Sequence, residues 1–422
     1  MGGESLTELD ESQVAAGLPA QGPRPPAVAS PRRWFPLKCL ITALLAVGIV
    51  ALGVSRQFYT EALVDAFFGL ALASVIIIHL RLRPRWTDVV MIAAGAALLG
   101  LVDFGLLHYP PRIMAWFSFL GLSSFFILSV YGIWGANRRF FLCAWAPAAL
   151  FVVSDYFADL MLAWTSKVHP RTLDLYLLSF DASLGTLLPF DVGRYYAQVA
   201  WLHICALIAY IGLALPIAMV YAGWLVRIRE KALPVMSAFL IVGPAGILLY
   251  NCFPACGPRP LFGSAFPFQP VAIADMARLV LEPAAIQGPR NAIPSLHLAW
   301  TLLAWWYSRG LSRPERSLAF AFLAFTVVAT LGTGEHWFID LVVAFPYALT
   351  IQALCSQGAS WTSRGRRSAL AAGVLGTAAW LLALRFAPHL FWLSPAVPWT
   401  LCAATVGLTC WLQSNMVKAT KA

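Results

Sequence analysis

Pro294-Ser295-Leu296-His297 and, one helical hairpin later, His336-Trp337-Phe338-Ile339-Asp340 decide how this chain is read. Between the two histidines lie two apolar segments, Leu298 to Tyr307 and Leu318 to Leu331, separated by a basic turn carrying Arg309, Arg313 and Arg316. An α-helix rises about 1.5 Å per residue, so each segment can cross most of a hydrocarbon core and the pair forms a hairpin. His297 and His336 therefore return to one membrane face. Asp340 follows His336 by one helical turn and shares its face. Two imidazoles at one lipid–water boundary, one with a carboxylate beside it, make a proton-transfer and nucleophile pair.

Working outward, the composition fixes the solvent. With 60% hydrophobic and 11% charged residues over 422 positions and a mean hydropathy of +0.74, the apolar residues exceed what one water-facing core can hold. The expectation is an all-α, polytopic integral membrane protein. A span needs roughly 20 apolar residues. Twelve runs approach that length: Cys39–Val54, Leu63–Leu80, Val89–Leu107, Ile113–Trp134, Phe140–Trp164, Ala197–Val226, Leu233–Cys252, Pro294–Tyr307, Leu318–Leu331, Trp337–Cys355, Leu370–Leu384 and Phe391–Leu412.

Lys and Arg gather in loops left in the cytoplasm. With the amino terminus inside, every even-numbered connection is basic, through Arg81, Arg138, Arg227, Arg309 and Arg364 among others. Both termini are then cytoplasmic, and His297, His336 and Asp340 face the extracytoplasmic side of a cell inner membrane or a Golgi-type endomembrane. The net charge of +10 follows from this loop bias and calls for no nucleic acid. Residues 1–38 read as a disordered cytoplasmic tail. The first apolar run, starting only at Cys39 behind a basic flank, reads as a retained signal-anchor helix.

Few polar groups interrupt the spans. Asp65, Asp103, Asp155, Asp159 and His203 all fall in outer helix halves, and Asp155 and Asp159, four apart, share a face. They read either as a polar vestibule able to bind a hydroxylated headgroup or as hydrated, structurally paired interface groups. His169 to Tyr196 mixes apolar and charged residues as short headgroup-level helices do, or as a cap on outer helix ends does. In Pro254-Ala255-Cys256-Gly257-Pro258-Arg259-Pro260, Gly and Pro make a turn that holds Arg259 at a helix exit. The connection from Phe253 to Ile293 is long enough to suggest a lid or substrate-facing loop. Helix starts near Ser295 and His336 offer unpaired N–H groups and positive dipole ends. With Arg259 and Arg290 nearby, the site asks for an anion.

These residues carry a resemblance. Pro294-Ser295-Leu296-His297, followed by His336 and Asp340 and preceded by Arg259-Pro260, resembles the signatures of the type 2 phosphatidic acid phosphatase superfamily. The resemblance implies a six-helix catalytic core over 140–355, with N-terminal transmembrane helices over 39–139 and C-terminal helices plus a short tail over 356–422. It implies no metal or other cofactor. It casts His336 as nucleophile, Asp340 as its orienting partner and His297 as the acid for the leaving alcohol, with Arg259, Arg290 and Ser295 holding phosphate.

Three departures matter: Cys252 stands where a lysine is usual, Leu296 where glycine is, and Ala329-Thr330 where Ser-Arg is. Leu296 and Ala329-Thr330, with the Leu173 to Gly185 segment, look like the inositol phosphorylceramide synthase branch, an inositolphosphotransferase of sphingolipid metabolism. Implied partners are a phospholipid or other lipid phosphate, and a lipid alcohol or water as acceptor. A lipid phosphate or polyprenyl pyrophosphate phosphatase is the alternative within the superfamily. A lipid transporter or scaffold is the alternative outside it, but no inverted repeat is seen. The absence of HExxH or CxxC spacing gives no support to a zinc site. Cys252 and Cys256 could pair in an oxidising compartment, with poor geometry in a helical segment.

Overall fold

A computed structural model describes residues 66–106, 113–135, 161–356 and 360–419, with Phe141, Trp145 and Ala149. The tail 1–38, the first apolar run, Asp65, Asp155 and Asp159 lie outside the described residues. Thirteen helices carry the argument: α1 Ala66–Arg81, α2 Trp86–Leu101, α3 Ile113–Trp134, α4 Asp174–Ser183, α5 Leu188–Gln198, α6 Ala200–Ile211, α7 Ala214–Arg227, α8 Arg229–Cys252, α9 Leu296–Ser308, α10 Arg313–Gly332, α11 Phe338–Cys355, α12 Arg364–Phe386 and α13 Ala396–Ala419. Among the described residues the only β pairing is the isolated bridge between Thr172 and Ala284.

Six helices are long and apolar enough to cross a membrane, or up to eight if two bent pairs each count as one span. The protein is an integral membrane protein. The twelve runs read from sequence do not all reach that standard. Pro294–Tyr307 becomes α9, of only 13 residues. Ala197–Val226 becomes α6 and α7, bent by 56°. Pro216 explains the bend, because it has no N–H to give the carbonyl of Gly212 one turn earlier. Val102–Leu106 continues α2 as a π-helix.

The central core is a packed set of α7, α8, α9 and α11, filled by Ile217, Tyr221, Phe239, Val242, Leu298, Leu302, Tyr347 and Ala348. Water is scarce in such an interior, so polar tips find backbone carbonyls instead. The Tyr347 hydroxyl donates to Val242 O at 2.5 Å, Trp300 Nε1 to Phe239 O at 2.8 Å and Trp224 Nε1 to Tyr307 O at 3.1 Å. α1 packs on α3 and on α7, which joins the N-terminal helices to this core.

The two ends of the bundle differ in chemistry. At one end the Arg81 guanidinium lies 2.5 Å and that of Arg227 3.6 Å from the Glu315 carboxylate, and Arg309 donates to Gln413 at 2.7 Å. These residues come from three connections and the C-terminal segment, which the sequence assigns to one side. At the other end lie His169, Arg259, Arg290 and His336. Here α4 forms a second core with Trp337, Trp380 and Phe391. Apart from Leu175, α4 is buried along its whole length. Within the segment from His169 to Tyr196, α4 is therefore a cap tucked under helix ends, whereas α5 leaves Tyr195 exposed.

Candidate active site

The loop between Gly332 and Phe338 sets the position of His336. Its N–H donates to Thr330 O at 3.2 Å, and Gly334 adopts φ +75 to turn the chain. That turn interlocks with the one before Arg259. Gly257, at φ +98, sits so close that a Cβ would lie 2.4 Å from Glu335 O, and Arg259 N–H donates to Gly334 O at 2.9 Å. Only glycine fits either position.

The structure brings His297 and His336 together with ring centroids 6.4 Å apart, at the same end of the α9–α10 hairpin. His336 is buried, and its Nδ1 lies 2.8 Å from Ala292 O. A carbonyl can only accept, so Nδ1 carries the proton and Nε2 keeps the lone pair. Burial pushes the imidazole down to about 4, against the upward pull of Glu335 and of the Ala292 bond. The ring is therefore neutral near pH 7.

Asp340 sits otherwise than expected. Its Oδ2 is 3.5 Å from His336 Nδ1, whereas it accepts the Trp337 N–H at 2.7 Å. The carboxylate caps α11, and the Ala292 carbonyl makes the bond that orients the ring. Asp181 from α4 completes that cap by accepting the N–H groups of Phe338 at 2.8 Å and Ile339 at 3.3 Å. The α11 start is thus already filled by two carboxylates of this chain. The expected seat for an anion at that helix end is occupied. Ser295 is buried too, accepting Leu298 N–H at 3.4 Å as the N-cap of α9.

The two arginines differ. Arg290 is buried, with Nε donating to His169 O at 2.8 Å and Nη1 donating to Gly288 O. Among the described residues these bonds leave Nη2 as its uncommitted nitrogen. Arg259 is exposed, at the start of the short helix Pro258–Phe262. Its charge acts on Glu335, whose carboxyl is pushed up by burial and held back by His336 and Arg259. The turn bearing Arg259 is pinned by Asp174, which accepts from Cys256 N at 3.0 Å, Gly257 N at 2.8 Å and Trp337 Nε1 at 3.0 Å.

Cys252 and Cys256 are both free thiols, and Cys256 Sγ instead meets Arg290 Nη1 at 3.5 Å. The long connection is held down on the α4 segment, through the bridge of Thr172 with Ala284 and a 2.9 Å bond from Tyr176 to Leu281 O. Asp103 lines a different cavity, of about 410 Å³, with Leu101, Phe104 and Trp116. The His203 ring lies 4.5 Å from that of Tyr196.

Sequence reading passed over Glu335, Tyr210 and the Ala292 carbonyl. Glu335 announces itself only by adjoining His336. Tyr210, stacked on His297 at 4.1 Å, sits in an apolar run where an aromatic residue reads as core.

Residues 175–354 match the family model of the PAP2 superfamily. Members of that superfamily are phosphatases or phosphotransferases, and the chain is similar to them over this segment. The PAP2 match covers less than half of the chain and contains Arg259, His297, His336 and Asp340 together. A lipid phosphate substrate and a membrane setting are consistent with the superfamily. No curated protein and no solved structure matches the chain.

Proposed function

We propose that the enzyme moves a phosphoryl group or a phospho-headgroup, such as phosphoinositol, between lipids at the extracytoplasmic face, through a phosphohistidine on His336. One observation carries this reading: two imidazoles 6.4 Å apart, one with its Nδ1 proton tied to Ala292 O and its Nε2 lone pair left to react. Phosphoryl transfer asks a protein mainly for positioning and charge stabilisation.

In the first step Nε2 of His336 attacks phosphorus, the P–O bond to the leaving group breaks, and His297 gives its proton to the departing oxygen. In the second, an acceptor hydroxyl attacks phosphorus, the P–N bond breaks, and the hydroxyl proton passes to His297. Arg259 and Nη2 of Arg290 hold the phosphate oxygens. Asp340 lends negative charge near Nδ1 while capping α11. Ser295 contributes by fixing the helix start beneath His297. Asp155 and Asp159 are proposed to hydrogen-bond headgroup hydroxyls, and full activity in Asp155→Ala would remove that role.

Transfer is favoured over hydrolysis by the departures at 252, 296 and 329–330. Leu296 packs onto Gly246, Ala329 and Thr330 are fully buried, and none of these uncharged side chains offers a cation to phosphate. The resemblance to the inositol phosphorylceramide synthase branch rests on Leu296, Ala329-Thr330 and the Leu173 to Gly185 segment. The extracytoplasmic side follows from the Lys and Arg bias of the opposite end.

The test supplies purified protein with a phospholipid labelled in its headgroup phosphate, with and without ceramide or diacylglycerol. Label moving to the acceptor, and its loss in His336→Ala and His297→Ala, is expected. Label leaving only as soluble product makes the enzyme a phosphatase. Turnover that survives both substitutions removes the mechanism.

A further inference from the structure

Glu335 is the charged residue of the turn before α11 that the transfer steps leave unused. Its neighbours Gly334 and His336 are buried, whereas Glu335 is half-buried. Arg259 starts from the same place. A Cβ on Gly334 would lie 2.9 Å from Arg259 Cβ, and one on Gly257 would lie 2.4 Å from Glu335 O. The two interlocked turns therefore present a cation and a carboxylate next to the reactive imidazole.

The two charges do not close on each other. Among the described residues, the Glu335 carboxylate and the Arg259 guanidinium make no hydrogen bond and no ion pair, with each other or with any other group. The other carboxylates nearby are committed, Asp174 to Gly257 N, Asp181 to Phe338 N and Asp340 to Trp337 N. Burial pushes the Glu335 carboxyl up, with His336 and Arg259 holding it back. Its charge reaches in turn to His336, Tyr210 and Cys256.

We propose that Glu335 is a specificity-determining residue that sets the charge of the phosphate the site accepts, turning away monoester dianions and admitting singly charged phosphodiesters. The inference rests on the reading of Arg259 and Arg290 as phosphate holders and of His336 as nucleophile. A phosphate monoester carries about −1.5 to −2 charges at pH 7, whereas a diester keeps a single one. Glu335 offsets one of the two guanidinium charges, which leaves enough for a diester and too little for a dianion. A dianion would also drive Glu335 toward its neutral form, a cost that the diester avoids. With a diester donor, Nε2 of His336 forms the P–N bond as the P–O bond to diacylglycerol breaks. The diacylglycerol oxygen takes the proton of His297, and the headgroup stays on phosphorus.

Donors that differ only in charge at phosphorus separate this role from a structural one. Phosphatidic acid and its methyl ester, phosphatidylmethanol, share acyl chains and leaving group, and phosphatidylinositol adds a natural headgroup. Release of diacylglycerol from each is measured near neutral-to-alkaline pH, where the monoester is doubly charged. The wild-type enzyme is expected to favour the diesters over phosphatidic acid by about tenfold or more in kcat/KM. Glu335→Gln, which keeps the shape and loses the charge, is expected to cut that preference by about tenfold, the monoester gaining. Glu335→Asp, which keeps the charge, is expected to hold the preference within about threefold. A wild-type enzyme that takes phosphatidic acid as fast as the diesters overturns the proposal. So does a Glu335→Gln variant that loses all three donors in proportion, as a structural residue would. If His336→Ala still releases diacylglycerol, or the wild type turns over none of the three lipids, the proposed function fails instead, and the inference falls with it.

Discussion

At the scale of single residues, burial and one backbone carbonyl prepare His336. The Ala292 carbonyl fixes the tautomer, and burial lowers the imidazole to about 4, against about 6.5 for a free side chain. Only the neutral ring is a nucleophile, so protonation at low pH removes activity. Above about pH 5 the ring stays neutral, so kcat/KM measured toward acid is expected to fall with a midpoint near 4 rather than 6.5. An acid limb centred at 6.5 would show that the ring titrates as in water. The same shift destabilises the fold as pH drops from 6.5 toward 4, because the unfolded chain takes up a proton that the buried ring resists. The two histidines and the one-turn spacing to Asp340 were legible in the sequence. Their partners were not, since a backbone acceptor leaves no side-chain signature and Tyr210 lies in an apolar run.

Among the elements, α4 does most to hold the site in shape. Asp174 and Asp181 reach from it to the Arg259 turn and to the start of α11, while its other face is sealed by Trp380 and Phe391, whose rings lie 5.5 Å and 4.8 Å from that of Phe180. Removing either carboxylate leaves buried N–H groups without an acceptor. Asp181→Ala is expected to cost about 1–3 kcal/mol of stability and to lower turnover by displacing His336, measured as a lower unfolding midpoint together with a lower kcat. An unchanged midpoint would mean that the cap is dispensable. Gly257→Ala is expected to be harsher, because a Cβ there would lie 2.4 Å from Glu335 O at a left-handed φ. It should abolish activity, and a fully active variant would contradict the interlocked turns. The sequence signalled a turn at Gly257 and Pro258 and two candidate readings of the α4 segment. The bends were hidden because apolar composition runs on from Ala197 to Val226, and the Gly212–Pro216 pair that breaks it is outweighed in any window of hydropathy.

On the scale of the whole molecule, the protein is a membrane-embedded bundle with a basic end and an end that carries His297 and His336. Arg81, Arg227 and Glu315 bring three connections together at one end, as the loop-charge pattern required, while Arg259, His297 and His336 gather at the other. Charge parity made that polarity legible, though the number of spans was not, because short helices such as α9 share the composition of full crossings. Exposed Cys252 ends α8 on the side that carries the two histidines. In sealed cells or vesicles of known orientation, an impermeant maleimide is expected to label Cys252 from the extracytoplasmic side, and labelling from the cytoplasmic side alone would invert the topology. The central claim is that phosphorus passes through His336, and chemical quench tests it most directly. Purified enzyme mixed with phosphate-labelled lipid and stopped in alkali, where a phosphohistidine persists, is expected to carry label on His336 and to carry none in His336→Ala. A wild-type enzyme that turns over while its only label lies on another residue, or while none forms even in a rapid quench, would contradict the account.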